Sequence, residues 1–185
     1  MIYLFLAPGF EEIEALSPLD LLRRAGLTVR TVAIGTADRA VTSSHGITVL
    51  ADVDEAEFLQ NTKQPLTAEA VILPGGMPGT THLDASQTVS DVLKQAHAQG
   101  AYLCAICAAP LILGKRGYLD GKRATCYPGF ESHLKGAIVG GKVVRDGTVI
   151  TAAGMGVAQE FGLEIISALL SPEKAGEIRA SIQSL

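Results

Sequence analysis

The sequence predicts an α/β protein whose mostly parallel β-sheet is covered by helices on both faces. Short apolar runs, such as "IYLFLA" at residues 2–7, alternate with helix-length amphipathic segments almost throughout the chain. These runs lack the polar alternation of half-exposed strands, which is typical of parallel strands buried on both sides. Since 48% of the 185 residues are hydrophobic, one domain over 1–185 can bury a sizeable core.

The first half of the chain contains the clearest strand-helix alternation. Strands are predicted at residues 2–7, 29–34, 47–53 and at the start of 69–79, which ends in a glycine-rich turn. Apolar residues recur at helical spacing from residue 11 until Gly26, which ends that helix. A second helix is predicted from Ser86, as its N-cap, to Gly100. The segment "QNTKQPLTAE" at 60–69 is predicted to be a surface loop.

The second half continues the alternation. The predicted strands and helices are a strand at 101–106, a helix at 108–117, a strand at 122–127, a hairpin at 142–150 and helices at 157–170 and 171–184. The hairpin is indicated by Asp146-Gly147 between two β-rich runs. Ser171 as N-cap and Pro172 in the first helical position begin the last helix.

Composition argues against several classes of protein. The formal net charge is −4 and no cluster of Lys and Arg exceeds a pair, so a nucleic-acid partner is not expected. No apolar run approaches the roughly 20 residues of a membrane span, and the first residues lack the basic region of a signal peptide. Three cysteines without an export signal predict the reducing cytoplasm.

In such sheets, ligands bind at the carboxyl ends of the strands. "APGFEE", "LPGGMPG" and "ICAAP" each follow a predicted strand, so we expect them to meet at one edge of the sheet. The chemistry of the protein is predicted there.

Cys104 and Cys107 have a C-x-x-C spacing that allows a redox pair, half of a metal site, or one reactive thiol beside a buried one. On an extended strand they lie roughly 10 Å apart, and their odd offset points them to opposite faces. A disulfide needs Cα atoms within about 7 Å, and zinc needs a second ligand pair, which the sequence lacks. A reactive Cys107 beside a buried Cys104 is therefore favoured, and no metal is expected.

Cys107 has the surroundings of a nucleophile at a strand-to-helix turn. Small residues, Ala105 and Ala109, stand two positions to either side. The N-terminus of the following helix favours the thiolate, so we predict a lowered pKa near neutrality. Gly75 and Gly76, at the neighbouring strand end, expose N–H groups suited to an oxyanion. The alternatives are a cysteine packed at a strand end and an ordinary tight turn.

Three glutamates open the first helix. Glu11 and Glu12 are interpreted as a solvated cap, which the helix dipole favours. Glu14 lies one turn further in, and Pro18 removes the N–H that would bond its carbonyl, so a local kink is expected. A carboxyl group buried there beside a thiolate would have a raised pKa and could donate to sulfur or relay a proton.

These residues resemble the ThiJ/PfpI superfamily, in particular its DJ-one branch, the Parkinson's-associated protein deglycases. The matching segments are "PGFEEIEALSPLDLLRRAG", "ILPGGMPG", "AICAAP" and "RDGTVITAAGMGVAQEFGLEII", in family order within about residues 1–170. The resemblance implies a flavodoxin-like (class I glutamine amidotransferase-like) sandwich and a homodimer. It also implies Cys107 as the reactive cysteine, Glu14 as its protonated partner, and Gly75 and the Ala108 backbone as oxyanion donors.

The resemblance also implies the function. Family activities include cofactor-free conversion of methylglyoxal to lactate, deglycation of early glycation adducts, and peroxide sensing through cysteine sulfinate. We therefore expect a cysteine-dependent glyoxalase or deglycase, active in carbonyl and oxidative stress on methylglyoxal, glyoxal or glycated substrates. The alternative is a redox-responsive sensor or chaperone that works through oxidation of Cys107.

The sequence departs from the family pattern at three places. Ala108 stands where the protease-like branch has His, so an amidase or protease is less expected. Tyr127 precedes Pro128 where DJ-one relatives often have His, which makes Tyr127 a possible accessory residue. Ala152 and Ala153 replace a Ser-Arg pair and remove an anion-binding side chain.

Overall fold

The computed structural model describes residues 1–62 and 65–184. Its strands are β1 (Ile2–Leu6), β2 (Val29–Ala33), β3 (Ala40–Thr42), β4 (Thr48–Leu50), β5 (Val53–Asp54), β6 (Ala70–Leu73), β7 (Tyr102–Ile106), β8 (Arg123–Ala124), β9 (Ile138–Val139), β10 (Val143–Asp146) and β11 (Val149–Ala152). Its helices are α1 (Glu12–Arg24), α2 (Glu55–Asn61), α3 (Gly79–Ala85), α4 (Gln87–Ala98), α5 (Pro110–Lys115), α6 (Ala158–Leu169) and α7 (Pro172–Ser181). Two residues of the loop predicted at 60–69, Lys63 and Gln64, lie outside the described residues.

The central sheet has seven strands in the order β10-β11-β7-β6-β1-β2-β5. Every neighbouring pair is parallel except β10 and β11, which form the hairpin predicted at Asp146-Gly147. β3 pairs with β4, and β8 with β9, in two small separate sheets. The predicted mostly parallel sheet is confirmed.

Helices cover both faces of the sheet, as predicted. Tyr3 and Phe5 of β1 belong to the hydrophobic cluster beneath α2, α3, α4 and α5, while Leu4 and Leu6 belong to the cluster beneath α1, α6 and α7. This alternation along a strand buried at every position explains why its sequence is apolar throughout. None of the described helices has the length and hydropathy that crossing a membrane requires.

The predicted strand at 47–53 is two strands in different sheets. β4 pairs with β3, and β5 joins the edge of the central sheet beside β2. Asp52 lies at the break, where its carboxylate accepts the backbone N–H of Thr31 at 2.8 Å and the Thr31 hydroxyl at 2.9 Å. The Asp52 side chain takes the place beside Thr31 of β2 that the backbone of a continuous strand would occupy, so the chain turns at Asp52.

The strand predicted at 122–127 shortens to Arg123–Ala124. The next amide, of Thr125, donates to the Thr151 hydroxyl at 2.9 Å, and that of Tyr127 donates to the Cys107 carbonyl at 2.7 Å. These bonds lead the chain away from strand pairing and towards the end of β7. The short helices α2 and α3 were not predicted.

Candidate active site

The carboxyl ends of β1, β6 and β7 bring together the three segments predicted to meet there. The backbone N–H of Glu11, in the loop after β1, donates to the carbonyl of Gly75, after β6, at 2.9 Å. A Cβ built on Gly75 would lie 2.6 Å from the Cβ of Cys107, after β7. The three loops are thus in direct contact, and Cys107, Glu14 and the glycine turn form one site.

Cys107 lies in a strained turn between β7 and α5. Its φ of 64° is in the left-handed region, which a non-glycine residue seldom adopts. Its N–H donates to the carbonyl of Ala152 at 2.8 Å, and its carbonyl accepts the N–H of Tyr127 at 2.7 Å. These two bonds fix the strained backbone and leave the thiol partly exposed, which is the geometry of a nucleophile elbow.

Glu14 is only 1% exposed and points at the cysteine from the first turn of α1. Its Oε2 accepts the N–H of Gly75 at 3.0 Å, and this oxygen and the Cβ of Cys107 both lie against Gly75, so the carboxyl group faces the thiol. Burial, with a further contribution from the Glu11 carboxylate, raises the pKa of Glu14 to about 7. The carboxyl group is therefore available in both its acid and its base form near neutral pH.

The thiol does not have the lowered pKa predicted from the helix N-terminus. Burial and the facing Glu14 carboxylate raise the pKa of Cys107 to about 12, although the N–H groups of Ala108 and Gly76 act in the opposite direction. α5 is only six residues long and begins three positions later, so its dipole lowers the pKa of the thiol only weakly. The Glu14 carboxylate opposes ionisation of Cys107, whereas the Cys107 thiol acts to lower the pKa of Glu14, so the two titrations are coupled.

The glycine turn fits against both side chains. A Cβ on Gly75 would lie 2.5 Å from Glu14 Oε2, and one on Gly76 would lie 2.7 Å from the Gly9 carbonyl oxygen. Gly76 also has a φ of 89°, so this turn requires glycine at both positions for close approach. The Gly75 N–H, predicted to bind an oxyanion, is bonded to Glu14, whereas the N–H groups of Gly76 and Ala108 act on the sulfur.

Tyr127 contributes to the site through its backbone bond to Cys107, and its side chain is 51% exposed. A Cβ built on Gly154 would lie 3.3 Å from Tyr127 Cδ2 and 3.8 Å from Glu14 Oε1. The ring and the buried carboxyl group therefore border the same glycine. An accessory role for the tyrosine side chain stays a prediction.

All three cysteines are free. Cys104 is completely buried within β7 and burial raises its pKa, while burial, followed by the charge of Glu131, raises the pKa of Cys126 to about 11. Cys104 and Cys107 do not point to opposite faces of the sheet, contrary to the prediction. The strand ends at Ile106, and Cys107 packs against the hydrophobic cluster that contains Cys104.

The interpretation of Glu11 and Glu12 as a solvated cap holds only for Glu11. Its Oε2 accepts the N–H of Glu14 at 2.6 Å, so it is the N-cap of α1. Glu12 is 7% exposed and its Oε1 lies 3.0 Å from Nδ1 of His45, in the turn of the β3–β4 hairpin. Sequence reasoning missed this contact because it did not predict β3.

Glu11, Glu12 and His45 place possible metal-ligand atoms within 4.8 Å of one another. The group lies at the N-terminus of α1, where the helix dipole disfavours a cation. Glu11 and His45 are moreover engaged in the cap and in the bond to Glu12.

Comparisons with known proteins identify the family of the chain. The profile of the DJ-1/PfpI family matches residues 1–168. Protein dj-1beta of Drosophila melanogaster is 39% identical over 176 residues, which are 94% of this chain and 91% of the relative. Glutathione-independent glyoxalase DJR-1.2 of Caenorhabditis elegans is 33% identical over 171 residues, 91% of this chain and 87% of the relative.

Among solved structures, oxidized DJ-1 of Toxoplasma gondii superposes with a TM-score of 0.91 at 33% identity, over 99% of this chain and 97% of that one. The crystal structure of Drosophila melanogaster DJ-1beta superposes with a TM-score of 0.89 at 34% identity, over 100% of this chain and 97% of that one. The flavodoxin-like fold expected from the resemblance is thereby confirmed. The chain belongs to the DJ-1/PfpI family, within its DJ-1 branch.

Proposed function

We propose that the protein is a cysteine-dependent, cofactor-free glyoxalase or deglycase that acts on methylglyoxal, glyoxal or early glycation adducts. The observation that carries the proposal is the buried Glu14 carboxyl group, which is bonded to the Gly75 amide and lies beside Cys107. A nucleophile with an adjacent proton carrier is the minimal equipment for adding to an aldehyde.

The family relationship supports the same reaction class. A relative that covers most of the chain is named a glutathione-independent glyoxalase. Such an enzyme needs its own thiol to form the hemithioacetal that glutathione would otherwise provide. Of the three cysteines, Cys107 is the one that is partly exposed, while Cys104 and Cys126 are buried.

With methylglyoxal, the first step is addition to the aldehyde carbon. The Glu14 carboxylate accepts the thiol proton as the carbon–sulfur bond forms, and it returns this proton to the aldehyde oxygen. The product is a hemithioacetal on Cys107. The N–H groups of Gly76 and Ala108 stabilise the developing negative charge during the step.

Isomerisation follows by proton transfer between neighbouring carbons. The Glu14 carboxylate removes the proton from the former aldehyde carbon, giving an enediolate, and the protonated Glu14 delivers it to the former ketone carbon. The hydroxyl proton on the first carbon's oxygen passes to the oxygen of the second carbon, so that the first becomes a carbonyl and the second a hydroxyl group. The first carbon is oxidised and the second is reduced, so no external redox agent is consumed. The result is a lactoyl thioester, which water hydrolyses to lactate with return of the Cys107 thiol.

Methylglyoxal consumption and lactate formation test the proposal directly. We expect Cys107→Ser to lower turnover by about a hundredfold or more, because the nucleophile is lost. The matched control Cys104→Ala, in the same strand, should stay within about threefold of the wild type. In D₂O, exchange of the proton held on Glu14 with solvent before its delivery predicts deuterium at carbon 2 of lactate, whereas direct delivery of the same proton predicts protium there. Retained turnover in Cys107→Ser would exclude Cys107 as the nucleophile.

A redox-responsive sensor is the second candidate, and the close structural match to an oxidized DJ-1 favours it. A protonated Glu14 can donate to one oxygen of a sulfinate on Cys107. If mild peroxide adds two oxygens to Cys107 while no dicarbonyl is turned over, the sensor is the better description. Turnover of methylglyoxal by the reduced protein favours the enzyme.

The assembly and the location remain proposals. We propose a homodimer on the family resemblance, and a cytoplasmic location on the three free cysteines, which a reducing compartment keeps as thiols. Equilibrium sedimentation of the purified protein distinguishes a dimer of about twice 19.3 kDa from a monomer.

A further inference from the structure

We propose that Glu11 is a positioning residue that holds the Cys107–Glu14 pair and the glycine turn in register. The inference rests on the proposed function in that it takes this pair as the reactive centre. Its test below does not require turnover. The hydrogen bonds that link Glu11 to the site go to Glu14 and Gly75, so it acts on the thiol through these two residues.

Three hydrogen bonds form a closed ring around Glu11. Its Oε2 accepts the Glu14 N–H at 2.6 Å, and its own N–H donates to the Gly75 carbonyl at 2.9 Å. The ring closes where the Gly75 N–H donates to Glu14 Oε2 at 3.0 Å. Glu11 thus ties the first turn of α1 to a turn more than 60 residues later in the sequence.

The packing leaves little room for the ring to shift. A Cβ on Gly75 would come within 2.6 Å of the Cys107 Cβ, and one on Gly76 within 2.7 Å of Phe10 backbone carbon. If Gly75 moved, its neighbour Gly76 would carry along the N–H that acts on the Cys107 sulfur. A displacement of Gly75 would therefore also change the surroundings of the Cys107 thiol.

The residue type at the N-cap of α1 also indicates that Glu11 does more than cap the helix. α2, α4 and α7 are capped by Asp54, Ser86 and Ser171, which are residue types that helices prefer in this position. Glutamate is not among them, although its carboxylate bonds the N–H of the third helical residue as that of Asp54 does in α2. Its negative charge also faces Glu14, whose pKa it helps to raise.

The groups that face the Glu14 carboxyl group define how a titration will respond. They are the Cys107 thiol from the elbow, the Glu11 carboxylate from the same helix end, the Tyr127 ring beside Gly154, and the N–H groups of Gly75 and Met155. Of the groups that act on its ionisation, only Glu11 and Cys107 are titratable. Replacing Glu11 by Gln removes one charge and keeps an oxygen that can accept the Glu14 N–H.

The test measures Glu14 and Cys107 separately in the full-length protein. The carbon-13 shift of the Glu14 carboxyl group, assigned by its loss in Glu14→Gln, reports the titration midpoint. We expect Glu11→Gln to lower this midpoint by about half a pH unit, because a charge that opposes ionisation is gone. Glu11→Ala, which also breaks the ring, should slow alkylation of Cys107 by iodoacetamide at least threefold, since the Gly76 N–H is no longer held at the sulfur.

Ser86→Ala is the matched control, because it removes the cap of α4 and the Val89 bond of 3.2 Å without touching the site. It should lower thermal stability comparably and leave both readouts unchanged. Alkylation of Glu11→Ala at or above the wild-type rate, or an unshifted Glu14 midpoint in Glu11→Gln, would refute the proposal. A protein that shows the expected shifts but no methylglyoxal turnover would keep this inference and lose the proposed function.

Discussion

The interior of β7 and the turn that follows it place two cysteines three residues apart in opposite situations. Cys104 is fully buried among apolar side chains and has ordinary strand geometry, whereas Cys107 is partly exposed with a φ of 64°. The same residue type is thus a core residue in one position and a candidate nucleophile in the other. The difference comes from the backbone and from the carboxyl group that faces only the second position.

The largest expected effect is the difference between the alkylation rates of Cys107 and Cys104. In the native protein, iodoacetamide should label Cys107 at least about a thousandfold faster than Cys104, because Cys104 is reached only when the core opens. Peptide mapping of the labelled protein over time measures both rates. Comparable labelling of Cys104 under native conditions would show that β7 opens readily and would remove the basis of the comparison.

Glu14→Gln sharpens the comparison because it removes the carboxyl group that faces Cys107 and leaves the surroundings of Cys104 unchanged. Turnover of methylglyoxal should fall by about a hundredfold or more, because an amide cannot relay a proton. Alkylation of Cys107 should become faster at pH 8, since the carboxylate that raises the thiol pKa is gone. Glu12→Gln is the matched control and should change neither rate. Wild-type turnover in Glu14→Gln would place the base elsewhere, with Tyr127 as the first residue to examine.

The smallest effect concerns stability. A carboxyl group whose pKa rises from 4.5 to about 7 on folding favours the folded state below pH 4.5, and this contribution is lost as the pH rises to 7. The loss is at most about 3 kcal/mol. The difference in free energy of unfolding between Glu14→Gln and the wild type should therefore shift in favour of the variant as the pH rises from 5 to 8. Urea unfolding of both proteins at the two pH values measures this shift. An equal pH dependence in the two proteins would show that Glu14 ionises freely.

Much of this architecture could be predicted from the sequence because strand periodicity and helix caps are local signals. The buried β1, the hairpin at Asp146-Gly147 and the Ser171 cap all follow from residues close together in the chain. α2 was missed although Asp54 and Glu57 form a capping box that local reasoning can detect. The break at Asp52 could not be predicted, since it depends on a bond to Thr31 in another strand.

The candidate site also has a part that local motifs predict and a part that depends on distant contacts. Cys107, Glu14 and the glycine turn could be selected from motifs that each follow a strand. The roles of the amides could not, because the Gly75 N–H is directed at Glu14 by contacts more than 60 residues apart. The raised thiol pKa was missed for the same reason, since burial and a facing carboxylate depend on the packed structure and not on the elbow alone.

The left-handed backbone at Cys107 sets activity against stability. Glycine is the residue best suited to a φ of 64°, so the candidate nucleophile occupies a position where a glycine variant, without the proposed activity, would be better folded. Selection of variants for thermal resistance alone would therefore tend to replace the thiol. The residue proposed here as the reactive centre thus stands at a position whose backbone conformation favours glycine.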